Sequence, residues 1–403
     1  MGRKLLCLLV ASTLIAYYIY QPLPENVEEP WKLTLLEASI RSLNHAATIV
    51  EKLGLGRYID VINLYMMTGY TAPTSDEKVI VTDTEFSHIP VRLYIPTKQS
   101  DVLKRAVIFI HGGGWCSASA RMKAYDLLSR WTSERLNAVV VSVDYRLAPK
   151  YRFPVAFEDV YSVSKYFLQS SILEKYNVDP SRIAIAGDSA GGNLAAAVTQ
   201  QILDDRDLKA KFKIQALLYP GLQTIDAELP SYLDNKNMPF LSKAILIRFL
   251  SEYFPSDDFF SKALETNQHV PTELNHLFKF VNWSKWLPER FKKGHVYTNP
   301  SHRNSKTGHK YPGVLDPKLA PLLVEDIKLR GLPLTYVLTC QYDVLRDDGI
   351  IYVSRLREAG VEVTHEHVDN FFHGVVSFIT GPFALNIGHR IANNYIEWLN
   401  KNL

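Results

Sequence analysis

The chain has 403 residues, of which 47% are hydrophobic and 22% are charged, and its formal net charge is +3. This composition is ordinary for a globular protein with a large core, and it excludes a mostly disordered chain. Lysine and arginine form no basic block, so nucleic acid is excluded as an expected partner. The three cysteines include no CxxC pair, so we expect no zinc site.

An apolar run at residues 5–20 follows Arg3 and Lys4 at the N-terminus. It is shorter than the ~20 residues of an average spanning helix, but the tyrosines at its end suit the membrane interface. A cleaved signal peptide is the alternative, although the bulky residues after the run do not resemble a cleavage site. We predict an uncleaved transmembrane signal anchor over residues 1–22. Because the basic residues precede the run, residues 23–403 are expected to be lumenal.

Short apolar runs alternate with helical stretches along the rest of the chain. Nearly continuous apolar runs are typical of parallel strands that are covered on both faces. Their alternation with helices predicts an α/β fold, with an open, mostly parallel sheet and helices on both faces. A β-rich stretch at 79–96 predicts an opening hairpin. The runs lie at 105–110, 138–143, 183–186, 214–219, 334–339 and 361–368.

Two stretches do not follow this alternation. Residues 221–330 are rich in aromatic residues, proline and asparagine and contain no obvious strand, and residues 25–72 precede the hairpin. Ligands bind beyond the carboxyl ends of the strands in such sheets. We therefore predict that both stretches form a cap over that edge, within one catalytic domain that spans residues 23–403.

The sequence GDSAGG at residues 187–192 lies between a predicted strand and a predicted helix. A serine in a strained strand-to-helix turn needs glycine neighbours, because larger side chains would collide with nearby backbone. The turn places Ser189 above the sheet at a helix N-terminus, where free N–H groups favour negative charge. This context predicts that Ser189 is a nucleophile.

Three consecutive glycines, Gly112, Gly113 and Gly114, follow His111 directly after a strand. Such a run is costly in backbone entropy, but acyl transfer requires main-chain N–H groups to approach an oxyanion closely. We predict that these glycines and Ala190, the residue after the nucleophile, form an oxyanion hole. A phosphate loop is the rival, but the run lacks the Lys-[Ser/Thr] ending and the GxGxxG spacing. His111 is predicted to orient the loop through hydrogen bonds.

The acid of the predicted triad follows from the order serine, acid, histidine along chains of this kind. Asp343 comes directly after a late strand. Asp347 and Asp348 lie a helical turn further on, where they are predicted to cap or charge the next helix.

The predicted base is His373, which follows the last strand. His365 and His367 alternate within that strand, so their side chains are expected on one face of the sheet, away from its edge. In the predicted reaction His373 takes the proton of Ser189, and Asp343 fixes the imidazole tautomer. No metal or organic cofactor is needed.

Several motifs together resemble the hormone-sensitive-lipase group of esterases, and within it the arylacetamide deacetylase family. The resemblance implies the α/β-hydrolase fold and a membrane-anchored serine carboxylesterase or amidase. Such an enzyme hydrolyses aryl acetamides, small acyl esters and acylglycerols. It also implies a single-pass type II protein of the endoplasmic reticulum membrane with a lumenal catalytic domain. The motifs are HGGGW, GDSAGG, DYRLAP, DVLRDD and FFHG, together with the N-terminal MGRK, YYIY and PLPENVEEPW.

The resemblance implies two modifications as well. One is a disulfide between Cys116 and Cys340, for which two buried reduced thiols are the alternative. The other is glycosylation of Asn282, which lies in the only Asn-x-Ser/Thr triplet that lacks a middle proline.

Two further functions stay open on the sequence. An inactive hydrolase homologue would bind a small molecule without turnover, although such proteins typically lack the serine or the histidine that this chain has. A serine peptidase would use the same triad. The aromatic cap and the predicted anchor favour small apolar ester or amide substrates over peptides.

Overall fold

The computed structural model describes residues 3–254, 258–298 and 312–403. In this part of the chain, eight strands form one sheet in the order β1-β2-β4-β3-β5-β6-β7-β8. β1 pairs with β2 and β2 pairs with β4 in antiparallel fashion, and the later strands pair in parallel. The strands are β1 (Val79–Phe86), β2 (Ile89–Pro96), β3 (Lys104–Ile110), β4 (Ala138–Val143), β5 (Val178–Asp188), β6 (Ile214–Leu218), β7 (Leu334–Tyr342) and β8 (Val363–Phe372). The predicted mostly parallel α/β sheet is confirmed.

Helices precede, separate and follow the strands. Those before the sheet are α1 (Arg3–Ile19), α2 (Pro30–Lys52) and α3 (Tyr58–Met67). Those that alternate with strands or follow the last one are α4 (Lys123–Leu136), α5 (Val155–Phe167), α6 (Ser170–Lys175), α7 (Ala190–Asp204), α13 (Arg346–Glu358) and α14 (Asn386–Asn402). Between β6 and β7 lie α8 (Pro230–Asp234), α9 (Lys243–Tyr253), α10 (Asp258–Glu265), α11 (Trp283–Trp286) and α12 (Asp326–Leu329), with 3-10 helices at Thr272–Val281, Glu289–Phe291 and Pro312–Leu315; another 3-10 helix, Val375–Phe378, follows β8.

The two faces of the sheet are buried in two separate hydrophobic clusters. Ile108 and Ile185 belong to one cluster, with residues of α5, α7 and α13. Val107 and Ala184 belong to the other, with residues of α4 and α14. Successive side chains of a strand point to opposite faces, so a strand buried on both faces is apolar throughout. This accounts for the continuous apolar runs in the sequence.

The segments that we predicted as a cap contribute helices that pack on the first of these clusters. Ile59 and Ile62 of α3 and Leu250 of α9 are buried in the same cluster as Ile108. The helices of both segments therefore share one hydrophobic core with the sheet.

The N-terminal apolar run forms α1, which has 17 residues and no buried side chain. A helix of that length extends roughly 26 Å, less than the ~30 Å hydrocarbon core of a bilayer. It ends before Pro22, because a proline disfavours helical backbone in the residue that precedes it. No helix in the described part of the chain has the length and apolar character needed to span a membrane. The signal anchor over residues 1–22 stays a prediction.

Candidate active site

Three predicted site residues meet at the carboxyl edge of the sheet. Nε2 of His373 lies 2.8 Å from the hydroxyl oxygen of Ser189. Nδ1 of the same ring lies 2.8 Å from a carboxylate oxygen of Asp343. In the tautomer whose Nδ1–H donates to Asp343, Nε2 is free to accept the serine proton. Ser189, Asp343 and His373 come directly after β5, β7 and β8. They are 154 and 30 positions apart in the sequence, but the parallel sheet brings the ends of these strands together.

The turn that carries Ser189 is strained and tightly packed. The serine has φ 55° and ψ −121°, which non-glycine residues seldom adopt. A Cβ atom on Gly187 would lie 2.4 Å from the carbonyl oxygen of Gly191, and one on Gly191 would lie 2.1 Å from that of Ile110. Both glycines of the predicted turn are therefore sterically required.

The loop that carries Asp343 is held by buried hydrogen bonds. One carboxylate oxygen of Asp343 accepts the N–H of Leu345 at 2.8 Å, while the other faces His373. The Asn235 side chain donates to the main-chain oxygen of Asp343 at 2.9 Å, and Ser231 donates to that of Val344 at 2.7 Å. α8 and the residue after it thus fix the position of the acid.

Two of the predicted oxyanion donors lie in a loop whose backbone only glycine tolerates. Gly113 and Gly114 have φ values of 104° and 61°, and a Cβ atom on Gly113 would lie 2.2 Å from the carbonyl oxygen of Ser117. The carbonyl of Gly113 accepts hydrogen bonds from both the N–H and the hydroxyl of Ser117. Since the N–H and carbonyl of a peptide point in opposite directions, the Gly114 N–H is turned away from Ser117. Both glycines line the cavity described below.

The third predicted donor, Ala190, is the first residue of α7. Its N–H has no partner within the helix, because the first N–H groups of a helix have no carbonyl to bond. Ala190 also lines the cavity beside Ser189. This position supports the oxyanion role of Ala190, which stays a prediction.

Gly112 does not fit the role that we predicted for it. Its N–H donates to a carboxylate oxygen of Asp188 at 2.8 Å and to the hydroxyl of Tyr125 at 3.1 Å. A buried N–H that is already bonded is not available to a substrate, so Gly112 is corrected from donor to loop support. His111 behaves as expected: Nδ1 bonds the carbonyl of Gly112 at 2.8 Å, and the ring stacks on Tyr145.

Asp347 and Asp348, the rivals for the acid, are buried in the first turn of α13. Asp347 accepts the N–H of Ser231 at 2.7 Å, and Asp348 accepts that of Leu222 at 2.8 Å. Burial raises the pKa of Asp348 to about 8. Both residues thus lie in the first turn of the helix, where we expected them, but their carboxyl groups bind the segment after β6 and do not cap the helix.

His365 and His367, the rivals for the base, lie side by side within β8. Each ring is 2.8 Å from the hydroxyl oxygen of Thr339 on β7. Burial lowers the pKa of both histidines to about 4. Their position on a sheet face agrees with the expectation from strand alternation.

Cys116 and Cys340 are both free thiols, and both are buried. Cys116 belongs to the hydrophobic cluster on one face of the sheet, and Cys340 belongs to the cluster on the other face. The sulfur of Cys116 instead approaches the carbonyl oxygen of Phe249 at 3.6 Å. The structure thus shows two buried reduced thiols, and the disulfide between them stays a prediction.

Asn282 begins α11. Its side-chain oxygen accepts hydrogen bonds from the hydroxyl of Ser284 at 2.7 Å and from the N–H of Lys285 at 3.3 Å. The side chain is half-buried, and its glycosylation stays a prediction.

An apolar cavity of about 520 Å³ opens over Ser189 and His373. This volume lies within the range of small-molecule sites, roughly 300–1,000 Å³. Ser189, His373, Gly113, Gly114 and Ala190 form its reactive floor. Its apolar wall includes Leu36, Ile40, Ile62 and Met66 of α2 and α3, Leu246, Phe249, Leu250 and Leu264 of α9 and α10, and Phe240, Phe378 and Phe383.

Known proteins share both the sequence and the fold. A family model described as the alpha/beta hydrolase fold matches residues 107–279 and 293–377. The chain is 55% identical to arylacetamide deacetylase of Bos taurus over 403 residues, which covers all of both chains. The chain belongs to the arylacetamide deacetylase family of α/β hydrolases. It is a serine hydrolase.

Two further comparisons extend the family and the fold. The chain is 43% identical to neutral cholesterol ester hydrolase 1 of Bos taurus, over 98% of this chain and 99% of that one. Among solved structures it is similar to the carboxylesterase EstE1 from a metagenomic library, with 27% identity and a TM-score of 0.61. That match covers 86% of this chain and 95% of the other. The similarity to these two esterases thus extends over most of the chain.

Sequence reasoning missed two residues at this site. Asp188 precedes the nucleophile and is buried, with its carboxylate bonded to the oxyanion loop. A buried acidic residue directly after the apolar part of β5, residues 183–187, is unusual, and this was the available signal. Phe249 packs its ring against Gly114, where a Cβ atom would lie 2.5 Å from the ring. No local pattern indicated this contact, because it joins segments 135 positions apart.

Proposed function

We propose that this protein is a serine carboxylesterase and amidase that hydrolyses apolar acyl esters and aryl acetamides through an acyl-enzyme. Acylglycerols are a further substrate class. The observation that carries the proposal is the hydrogen-bonded series Ser189, His373 and Asp343 on the floor of an apolar cavity.

In the first step the hydroxyl of Ser189 attacks the substrate carbonyl while Nε2 of His373 takes its proton. Asp343 keeps the imidazole in the required tautomer and stabilises the imidazolium. The oxyanion accepts hydrogen bonds from the N–H groups of Ala190 and of Gly113 or Gly114. His373 then protonates the leaving alcohol or amine, and the acyl group stays on the serine.

In the second step water replaces the leaving group. His373 removes a proton from the water, which attacks the acyl-enzyme, and the same N–H groups stabilise the second oxyanion. The serine recovers its proton as the carboxylic acid leaves.

The proposed substrate class rests on the cavity and on the relatives. The cavity wall includes many leucine, isoleucine and phenylalanine side chains, which bury apolar groups favourably. The relatives are named for aryl acetamides and for cholesterol esters, both of which have large apolar parts. An apolar acyl or aryl group beside a single ester or amide bond fits this cavity better than a peptide does.

The test is a substrate panel with purified protein: short-chain and long-chain nitrophenyl esters, an aryl acetamide and a peptide. We expect turnover of the esters and the acetamide and none of the peptide. Ser189→Ala should lose ester turnover by on the order of 10³-fold or more. Ser181→Ala, which changes an exposed serine far from the cavity, is the control. Wild-type protein that turns over none of the esters, or Ser189→Ala protein that retains activity, overturns the proposal.

We also propose that the enzyme associates with the endoplasmic reticulum membrane, with its catalytic domain in the lumen. The support is exposed apolar surface: Leu8 and Leu14 of α1 are 64% and 63% exposed, and Leu53 and Leu55 after α2 are 65% and 74% exposed. Contact with lipid would remove this surface from water, at about 25 cal/mol per Å².

Two measurements test this location. Flotation with vesicles should recover the wild-type protein, and Leu8→Ser/Leu14→Ser should reduce the recovery, whereas equal recovery counts against lipid contact by α1. In cells, N-glycosidase should increase the mobility of wild-type protein but not of Asn282→Gln. An unchanged wild-type mobility counts against the lumenal placement and the glycosylation of Asn282 together.

A further inference from the structure

Asp188 ends β5 directly before the nucleophile, and it is 2% exposed. One carboxylate oxygen accepts the N–H of Gly112 at 2.8 Å. The other accepts the hydroxyl of Tyr125 at 3.1 Å and that of Tyr219 at 3.4 Å. The buried carboxylate thus joins the nucleophile turn to the oxyanion loop, to α4 and to the end of β6.

On the oxyanion side, Asp188 fixes the first peptide of the glycine loop. The N–H of Gly112 points to the carboxylate, and a Cβ atom on Gly112 would lie 2.8 Å from it, so only glycine permits this approach. The hydroxyl of Tyr145 holds the carbonyl oxygens of His111 and Gly112 at 3.0 and 3.3 Å. With the carbonyl of Gly112 fixed, the N–H of Gly113 in the same peptide is fixed in the opposite direction.

On the base side, Asp188 acts through Tyr219. The hydroxyl of Tyr219 also accepts the N–H of Val376 at 3.3 Å, and its ring stands edge-on to His373 at 4.9 Å between centroids. The positive charge of His373 acts to lower the pKa of Asp188. By the same interaction, the carboxylate stabilises the imidazolium that forms when Ser189 attacks.

We propose that Asp188 is a positioning residue: it sets the direction of the oxyanion donors and supports the charged form of His373 without touching the substrate. This inference rests on the proposed esterase function, and it assigns Gly112 a role as the attachment point of the loop.

Asp188 performs this role at a cost to folding. Burial raises the pKa of its carboxyl group to about 6. A group whose pKa is higher in the folded state contributes stability at low pH, and that contribution is lost as the pH rises through the folded pKa. The titratable groups that face it are His373, Tyr125 and Tyr219, and burial raises the pKa of both tyrosines well above the ordinary value. The tyrosines therefore stay protonated as donors, and the ionised carboxylate is the costly member at neutral pH.

The experiment compares wild type with Asp188→Asn, which keeps the shape but removes the charge and one acceptor. We expect kcat for a soluble nitrophenyl ester to fall at least ~10-fold while KM changes little, because the defect lies in the transition state. The inhibition constant of a trifluoromethyl ketone, which forms a tetrahedral oxyanion on the serine, should rise by a similar factor. The melting temperature at neutral pH should be unchanged or higher, which loss of a merely structural residue would not produce.

Two variants serve as references. Asp159→Asn removes another buried carboxylate, which lies on α5 and binds Arg146. It should leave kcat and the inhibition constant within ~2-fold of wild type. If Asp188→Asn does not fold, Tyr219→Phe removes one donor to the carboxylate and should give a smaller loss of kcat in the same direction. Asp188→Asn protein, or failing that Tyr219→Phe protein, with kcat and inhibitor affinity equal to wild type overturns the inference, whereas a wild type without ester turnover overturns the proposed function instead.

Discussion

The turns at the carboxyl edge of the sheet and the helices above them line the same cavity, but different forces constrain them. In the turns, a Cβ atom on Gly113 or Gly191 would lie 2.2 or 2.1 Å from a backbone oxygen. In the cap helices, side chains such as Leu36 and Leu246 contribute apolar wall without comparable constraints. Backbone geometry therefore dictates residue identity in the turns, while the cap requires only apolar character and volume. The residues that carry out the reaction are therefore tightly constrained, whereas the side chains that set substrate preference can vary.

The largest effect that would sharpen this contrast is expected for Asp343→Asn. The amide can present its N–H₂ to Nδ1 of His373, which favours the wrong imidazole tautomer. We expect kcat for a soluble ester to fall by on the order of 10³–10⁴-fold with the fold intact. Circular dichroism and single-substrate kinetics check this, and a loss smaller than tenfold would mean that Asp343 is not the acid.

A substitution in a turn should be far more damaging than the same substitution in the cap. In Gly191→Ala the new methyl group would meet the carbonyl of Ile110, so the turn that carries Ser189 must move. We expect a loss of kcat of about 10²-fold or more, as for a misplaced catalytic group. In Gly56→Ala, between α2 and α3, the methyl group would meet only Val50 at 3.6 Å, an ordinary contact. Equal activities of the two variants would contradict the contrast.

Within the cap, Phe249→Ala should change the preference for acyl chain length more than it changes kcat. The ring of Phe249 covers Gly114 and forms part of the cavity wall. Its removal enlarges the cavity beside the oxyanion loop, so kcat/KM should shift toward longer acyl chains by about 3- to 10-fold relative to acetate. Phe249→Leu, which restores part of the volume, should lie between. An unchanged ratio of long-chain to short-chain kcat/KM would place the acyl group elsewhere.

The smallest effect expected is one on stability alone. The pKa of Asp348 is raised to about 8 by burial, so its contribution to the free energy of unfolding is present at low pH and lost as the pH rises through 8. Urea unfolding from about pH 6 to about pH 9 should show a decline of up to ~1.4 kcal/mol per pH unit from this group. Asp348→Asn should flatten that decline, and parallel curves for the two proteins would contradict the assignment.

The sequence predicted what local geometry dictates. The nucleophile turn, the glycine loop and the order of the triad were readable because each depends on a strand end followed by small residues. The sheet was readable because strands buried on two faces are apolar throughout. The helix at the N-terminus was readable from its apolar run, and it has 17 residues.

The parts that were not predicted depend on contacts between distant segments. The role of Gly112 could not be read, because its partner Asp188 lies 76 positions away. Whether Cys116 and Cys340 pair could not be read from the residues either, because the two lie 224 positions apart. Asp347 and Asp348 were predicted to cap or charge the helix that they begin. They lie in its first turn, but their carboxyl groups bind the segment after β6.

The central claim is that Ser189 is a nucleophile activated by His373. Labelling with a fluorophosphonate, followed by peptide mass mapping, tests it most directly. We predict one added phosphonyl group, located on Ser189, and a rate of labelling that falls by orders of magnitude in His373→Ala protein. Labelling at another residue, or an unchanged rate in His373→Ala protein, would contradict the account.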